Sequence, residues 1–183
     1  MIFATVGTQL PFDRLLNGLD AWAGTNAGLP VLAQSGETSS RFQNIRTVRN
    51  LPQSEFLASF KAARLIVAHA GMGTILSAAE MGKPVILMPR LARFREHRND
   101  HQVDTAAEMS KLSNVTVVND ADELHAALDR AVARNFEIDG PMDSSAVNEL
   151  EPLIGAVRDF VWGNRKTAKL APSRPLSLWG KAA

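Results

Sequence analysis

Alternation constrains this chain more than any other feature. Short runs rich in apolar residues recur between stretches whose apolar residues fall at helical spacing. The runs cover residues 2–6, 31–34, 45–48, 65–68, 85–88 and 115–118. Between them the spacing predicts helices over 12–19 with Pro11 at the first position, 55–63 capped by Ser54, and 72–81 closed by Gly82. Two more are expected over 99–112 and from the cap Asp120 to about Arg134, and a last one over 146–162. A strand that is apolar along its whole length leaves no face for water, so both its faces must be covered. Six such strands alternating with helices specify an α/β architecture: a Rossmann-like open parallel sheet of about six strands.

At 183 residues the chain has room for one core. The expected division is a folded body over 1–163 and a basic tail over 164–183. The tail carries Arg165, Lys166, Lys169, Arg174 and Lys181 and no acid, so the formal total of +1 conceals a body of −4. That balance gives no basic field of the kind a nucleic acid partner requires. Cysteine is absent, which excludes disulfides, thiolate metal sites and cysteine nucleophiles. No apolar run approaches the roughly 20 residues that cross a bilayer. The first residues, Met1-Ile2-Phe3-Ala4, lack a basic leader and read as a strand rather than a signal peptide, so a cytoplasmic location is expected.

In open parallel sheets, ligands lie beyond the carboxyl ends of the strands, near the point where strand order reverses. Three loops are expected there, over 6–12, 68–74 and 88–102. The second, His69-Ala70-Gly71-Met72-Gly73-Thr74, follows a strand and opens a helix. Its glycines permit close backbone approach, and the free amides of a helix N-terminus suit a phosphate or diphosphate. A tight turn without a ligand is the competing reading of Gly-x-Gly taken alone. The first strand is followed by Gly7-Thr8-Gln9 rather than by Gly-x-Gly-x-x-Gly, which counts against NAD. The P-loop pattern is missing too, which counts against ATP or GTP hydrolysis.

The third loop holds Arg90, Arg93, Arg95 and Arg98, then Asn99, Asp100, His101 and Gln102. Paired donors and acceptors of this kind can read sugar or ribose hydroxyls. The bland alternative is a solvated charged loop. His97 and His101 are spaced i, i+4 but lack the Glu of His-Glu-x-x-His and a third ligand, so no metal is expected.

The segment His69-Ala70-Gly71-Met72-Gly73-Thr74-Ile75-Leu76-Ser77-Ala78-Ala79-Glu80-Met81-Gly82-Lys83-Pro84 resembles the nucleotide-sugar signature of GT-B glycosyltransferases. The opening Thr5-Val6-Gly7-Thr8-Gln9-Leu10-Pro11-Phe12-Asp13-Arg14-Leu15 and the later Arg95-Glu96-His97-Arg98-Asn99-Asp100-His101-Gln102 fit the same family. Together, over about residues 1–135, they resemble the C-terminal, donor half of MurG-like enzymes (glycosyltransferase family twenty-eight). Within it they resemble the small stand-alone members, the PssE-type subunits of exopolysaccharide glucuronosyltransferases, and also the catalytic subunit of the dolichol-linked N-acetylglucosaminyltransferase.

The resemblance implies that Gly7 and Thr8 face the diphosphate of a UDP-sugar. Gly71, Met72, Gly73 and Thr74 would meet it across the crevice, with His69 beside them. Ser77, Glu80, Arg90, Asn99, Asp100 and Gln102 would lie around ribose and sugar. Met72 also has a packing reading. Many relatives carry a ribose-binding Glu where this chain has Ser77, and Glu80 is the candidate replacement. A general base is not identified; Asp13 and Glu96 are the local candidates. The resemblance further implies inverting transfer without a cofactor, glucuronosyl favoured, to a lipid-linked saccharide. A membrane-anchored, PssD-type subunit would bind that acceptor and hold this chain on the inner face of the membrane. A non-catalytic UDP-sugar-binding or scaffold subunit, an epimerase acting alone, and a glucosyl or N-acetylglucosaminyl donor stay open as alternatives. The arginine run is where a donor carboxylate would be read.

Overall fold

The computed structural model describes residues 1–138 and places six parallel strands in one sheet. The elements run β1 (Ile2–Thr5), α1 (Asp13–Thr25), β2 (Val31–Gln34), β3 (Arg46–Val48), α2 (Gln53–Ala62), β4 (Leu65–His69) and α3 (Met72–Glu80). They continue with β5 (Val85–Met88), a 3-10 turn (Ala92–Phe94), α4 (His101–Met109), β6 (Val115–Val117) and α5 (Ala121–Ala133). The expected helix over 146–162 and the tail over 164–183 lie outside the described residues.

Strand order is β3-β2-β1-β4-β5-β6, so the chain reverses direction across the sheet between β1 and β4. In register, Ala4 pairs with Val67 and Thr5 with Ala68. Side chains alternate between two cores, as the period of a strand requires. On one face Ile2, Ala4, Val67 and Met88 pack with Leu15, Leu19, Leu124 and Leu128 of α1 and α5. On the other, Phe3, Ile66, Ala68 and Leu87 pack with Phe60, Ile75, Ala78 and Met109 of α2, α3 and α4. Phe3 is fully buried and meets Phe56 and Phe60 edge-on, with ring centroids 5.3 and 6.3 Å away. His125 bridges the first pair of helices: its Nε2 lies 2.8 Å from the Gly18 carbonyl, and its side chain is half-buried.

Three helix starts differ from the sequence expectation. Helix α1 begins at Asp13 with Phe12 at its cap, so Pro11 precedes the helix instead of holding its first position, and the Phe12 carbonyl accepts from the Leu16 amide. Pro52, not Ser54, stands before α2, because the Pro52 carbonyl already receives the Phe56 amide one turn on. Helix α4 begins at His101 rather than Asn99. Asn99 and Asp100 spend their side chains on loop bonds, to His97 and to the Ala92 amide, instead of entering a helical turn. Asp120 caps α5 as expected, accepting from the Glu123 amide at 2.9 Å. Gly82, at φ +59, closes α3 in the left-handed conformation that favours glycine.

Candidate functional site

The reversal between β1 and β4 puts two loops side by side at the carboxyl edge of the sheet, and the loop after β5 closes the third side. They enclose a crevice of about 240 Å³ lined by Gly7, Thr8, His69, Arg90, His97 and Gln102, among others. A hollow of about 190 Å³ lies between β5, β6 and α5, lined by Pro84, Asn114 and Phe136. Asn114 and Pro84 precede their strands, so this hollow sits at the amino edge, away from where such sheets bind ligands.

The β1 and β4 loops are joined by His69. Its Nδ1 lies 3.4 Å from the Thr5 carbonyl, and its ring fills the space beside both glycine backbones. A Cβ on Gly7 would stand 3.0 Å from the imidazole, and one on Gly71 would collide with it. Gly7 also sits at φ +76. These two glycines therefore make room for a side chain of the protein itself. Burial and the nearby Arg90 charge, with a smaller push from His97, lower the His69 pKa to about 4, although the Thr5 carbonyl pulls the other way. The ring is neutral at physiological pH. With Nδ1–H donating to Thr5, Nε2 is left as an acceptor.

Gly73 differs. Among the described residues a Cβ there would meet nothing within 4 Å, and its backbone is ordinary helix. Nothing in the described residues requires glycine at this place. It stands in the first turn of α3, where the Thr74 and Ile75 amides both return to the Gly71 carbonyl. The Met72 and Gly73 amides lie ahead of those bonds, at the positive end of the helix dipole. Met72 packs partly into the core beneath, in keeping with its packing reading.

Two arginines brace the loops around the crevice, and one of them, Arg90, lines it. Arg90 is 3% exposed and donates to the carbonyls of Val6 (2.6 Å), Pro11 (2.7 Å) and Glu96 (3.0 Å). Burial pulls its pKa down to about 10, against the opposing pull of Glu96, so it keeps its charge at neutral pH. Arg14, which sequence reasoning missed, grips Glu96 with two bonds of 2.9 Å and donates to the carbonyls of Pro89 (2.8 Å) and Asn119 (2.6 Å). Both guanidinium groups lie over the buried Phe12 ring, at 5.3 Å for Arg14 and 4.7 Å for Arg90. The Arg14–Glu96–Arg90 trio thus carries a net charge of +1 while locking the loops after β1, β5 and β6 together.

The remaining expected residues divide. Gln102 reaches the crevice, its Oε1 accepting from the Arg90 amide at 3.1 Å. Thr8 is exposed at its rim, and Thr74 is half-buried in the first turn of α3. Asn99 and Asp100 fold the loop after β5, through His97 and Ala92. Ser77 is buried, and its hydroxyl donates back to the Gly73 carbonyl at 2.8 Å. Glu80 is not brought to the crevice: it is exposed at the far end of α3, beside Lys61 and Met81. Eight residues of helix separate it from Met72, about 12 Å. The local base candidates are both engaged. Asp13 accepts from Thr38 Oγ1 (2.5 Å) and Ser40 Oγ (3.0 Å), and Glu96 is held by Arg14 and by the Leu91 amide (3.0 Å). Arg93, Arg95 and Arg98 are exposed and do not line the crevice. Among the described residues no helix is long and apolar enough to cross a membrane.

Residues 1–152 match the glycosyltransferase family 28 C-terminal domain. The UDP-N-acetylglucosamine--N-acetylmuramyl-(pentapeptide) pyrophosphoryl-undecaprenol N-acetylglucosamine transferase of Solibacter usitatus (strain Ellin6076) is 32% identical over 108 residues, 53% of this chain. The match spans 28% of that protein's length. Among solved structures, the glycotransferase of kitacinnamycin shares the fold with a TM-score of 0.55 at 19% identity, over 85% of this chain and 39% of that one.

Proposed function

The chain belongs to the glycosyltransferase family 28 C-terminal domain family, and from that premise we propose that its crevice holds the donor of a GT-B transfer reaction, a UDP-sugar. The observation that carries this reading is Gly73, a glycine that the packing of the described residues and the backbone do not need, at the N-terminus of α3. A diphosphate there receives the amides ahead of the first helical bonds and the field of the dipole. Arg90, which lines the crevice and keeps its charge, adds attraction.

In the proposed reaction an acceptor hydroxyl displaces UDP from the anomeric carbon with inversion. Negative charge develops on the leaving diphosphate, where preorganised amides stabilise it more than they stabilise the bound donor. With Asp13 and Glu96 both spent on loop contacts, the base that takes the hydroxyl proton belongs to the acceptor-binding half. We assign that half to a membrane-anchored, PssD-type partner presenting a lipid-linked saccharide in exopolysaccharide synthesis, which keeps this chain on the inner, cytoplasmic face of the membrane. Glucuronate is the favoured donor sugar, since Arg90, which lines the crevice, keeps its charge.

The test is transfer of labelled sugar to a lipid-linked acceptor with and without the partner, using UDP-glucuronate, UDP-glucose and UDP-N-acetylglucosamine. Equal use of all three would remove the glucuronate assignment. One observation favours a second reading, a subunit that binds UDP-sugar without turnover: the Ser77 hydroxyl is spent on Gly73, leaving no carboxylate at the ribose position. UDP binding without transfer, partner present, would select it.

A further inference from the structure

Residues 35–45 join β2 to β3 without helix or strand, yet they are held firmly along α1. Over 37–42 exposed and half-buried residues alternate, the period of an extended chain, so Thr38, Ser40 and Phe42 share one inward face. Phe42 packs against the core on the α1 side of the sheet. Asp13, in the first turn of α1, takes the other two: its Oδ1 accepts from the Thr38 hydroxyl (2.5 Å) and its Oδ2 from the Ser40 hydroxyl (3.0 Å). Two helical turns on, Asp20 accepts the Asn44 and Ile45 amides at 2.7 and 3.1 Å. We propose that Asp13 is a positioning residue for the donor: through this strap it sets where Gly7 and Thr8 stand against the diphosphate. The inference rests on the donor reading, which places a UDP-sugar in the crevice.

The strap meets the β1 loop at both ends. At the far end is Asp13 itself. At the near end Gly36 comes so close that a Cβ on it would lie 3.0 Å from the Gly7 carbonyl oxygen and 3.3 Å from the Val6 side chain. Gly36 also sits at φ +58, where a side chain adds strain. Its amide donates to the Arg49 carbonyl at 3.0 Å and the Ser35 amide to Val48 at 2.9 Å, so this end of the strap is anchored on β3, at the edge of the sheet. Arg90 holds the β1 loop from the β5 side, through the Val6 and Pro11 carbonyls. The strap holds it from the β2 side.

Asp13 acts through this contact rather than on the ligand. Gly7 and Thr8 line the crevice, and Asp13 does not. Each of its oxygens receives a hydroxyl donor from the strap, and bonds to an ionised carboxylate are stronger than those between neutral groups. The clamp is therefore stiff enough to pass its position on to the loop that α1 continues.

The experiment is titration of UDP, and separately of uridine, into the full chain and its variants, followed by NMR chemical shifts. Thr38→Val together with Ser40→Ala is expected to weaken UDP binding about tenfold, the equivalent of one lost contact. Uridine binding should hold, because uridine has no diphosphate for the loop to meet. Asp13→Ala should weaken UDP equally, and the triple variant no further, since all three substitutions open one clamp. Asp13→Asn can still accept from Thr38 and can donate to Ser40, so it is expected to keep most of the UDP affinity. UDP affinity unchanged in every variant overturns the inference alone. So do equal losses for UDP and uridine, which would make the clamp merely structural. Losses that add up in the triple variant overturn it too, by placing Asp13 against the ligand. A wild-type chain that binds no UDP overturns the donor reading and this inference with it.

Discussion

The imidazole of His69 occupies the space that a Cβ on Gly71 would need. Two residues of one loop are thus fitted to each other, and through Thr5 and Gly7 the fit extends to the neighbouring strand. Gly71→Ala is expected to expel the ring and cost about 1–3 kcal/mol. Adding His69→Ala should recover part of that loss, because the collision disappears with the ring. Chemical denaturation of both single variants and the double variant measures the coupling. An additive cycle would mean that the two residues do not meet.

His69 also sets a pH dependence. Its pKa in the folded protein is about 4, below its ordinary value of 6.5, so between those pH values the unfolded chain binds more protons. Stability therefore falls as pH drops from about 6.5 towards 4, by no more than about 3 kcal/mol, and this contribution levels off below that range. Urea midpoints across the window should show a slope that His69→Gln reduces. An unchanged slope in the variant would assign the acid sensitivity to other groups.

Arg14 and Glu96 form a two-pronged ion pair, and Glu96 lines the crevice. Removing one partner leaves the other poorly solvated, so Glu96→Gln or Arg14→Gln is expected to cost about 2–4 kcal/mol. Arg14→Lys should restore little, since an ammonium cannot span both carboxylate oxygens and two carbonyls at once. Thermal and urea unfolding of the three variants checks this; full rescue by lysine would reduce the fork to a simple charge.

How much of this was legible beforehand follows from where each signal resides. The parallel sheet was readable because its central strands are buried on both faces, which leaves apolar runs in the chain itself. Helix starts were less readable: at Pro52 and Asp100 the outcome depended on which backbone and side-chain bonds formed, and periodicity carries no trace of that. The family motif located the crevice, but the reason for its glycines divides. Gly7 and Gly71 accommodate His69, whereas a Cβ on Gly73 would meet none of the described residues. Glu80, one turn beyond Ser77 in sequence, is carried down the helix and away from the crevice. Arg14 gave no local signal, because its partners lie 75, 82 and 105 residues away. Arg90 was visible only as one charge in a run, and its three carbonyl contacts distinguish it from its exposed neighbours.

The most direct test of the donor crevice is titration of UDP into the wild-type chain and the Gly73→Ala variant, with thermal unfolding of both. A methyl at residue 73 meets nothing among the described residues and replaces glycine within a helix, so the melting midpoint should hold or rise, by at most about 1 kcal/mol of added stability. If a diphosphate lies against that backbone, UDP affinity should fall by about tenfold or more, the equivalent of one lost close contact. Equal affinity in both proteins, or no UDP binding by the wild type, would contradict the account.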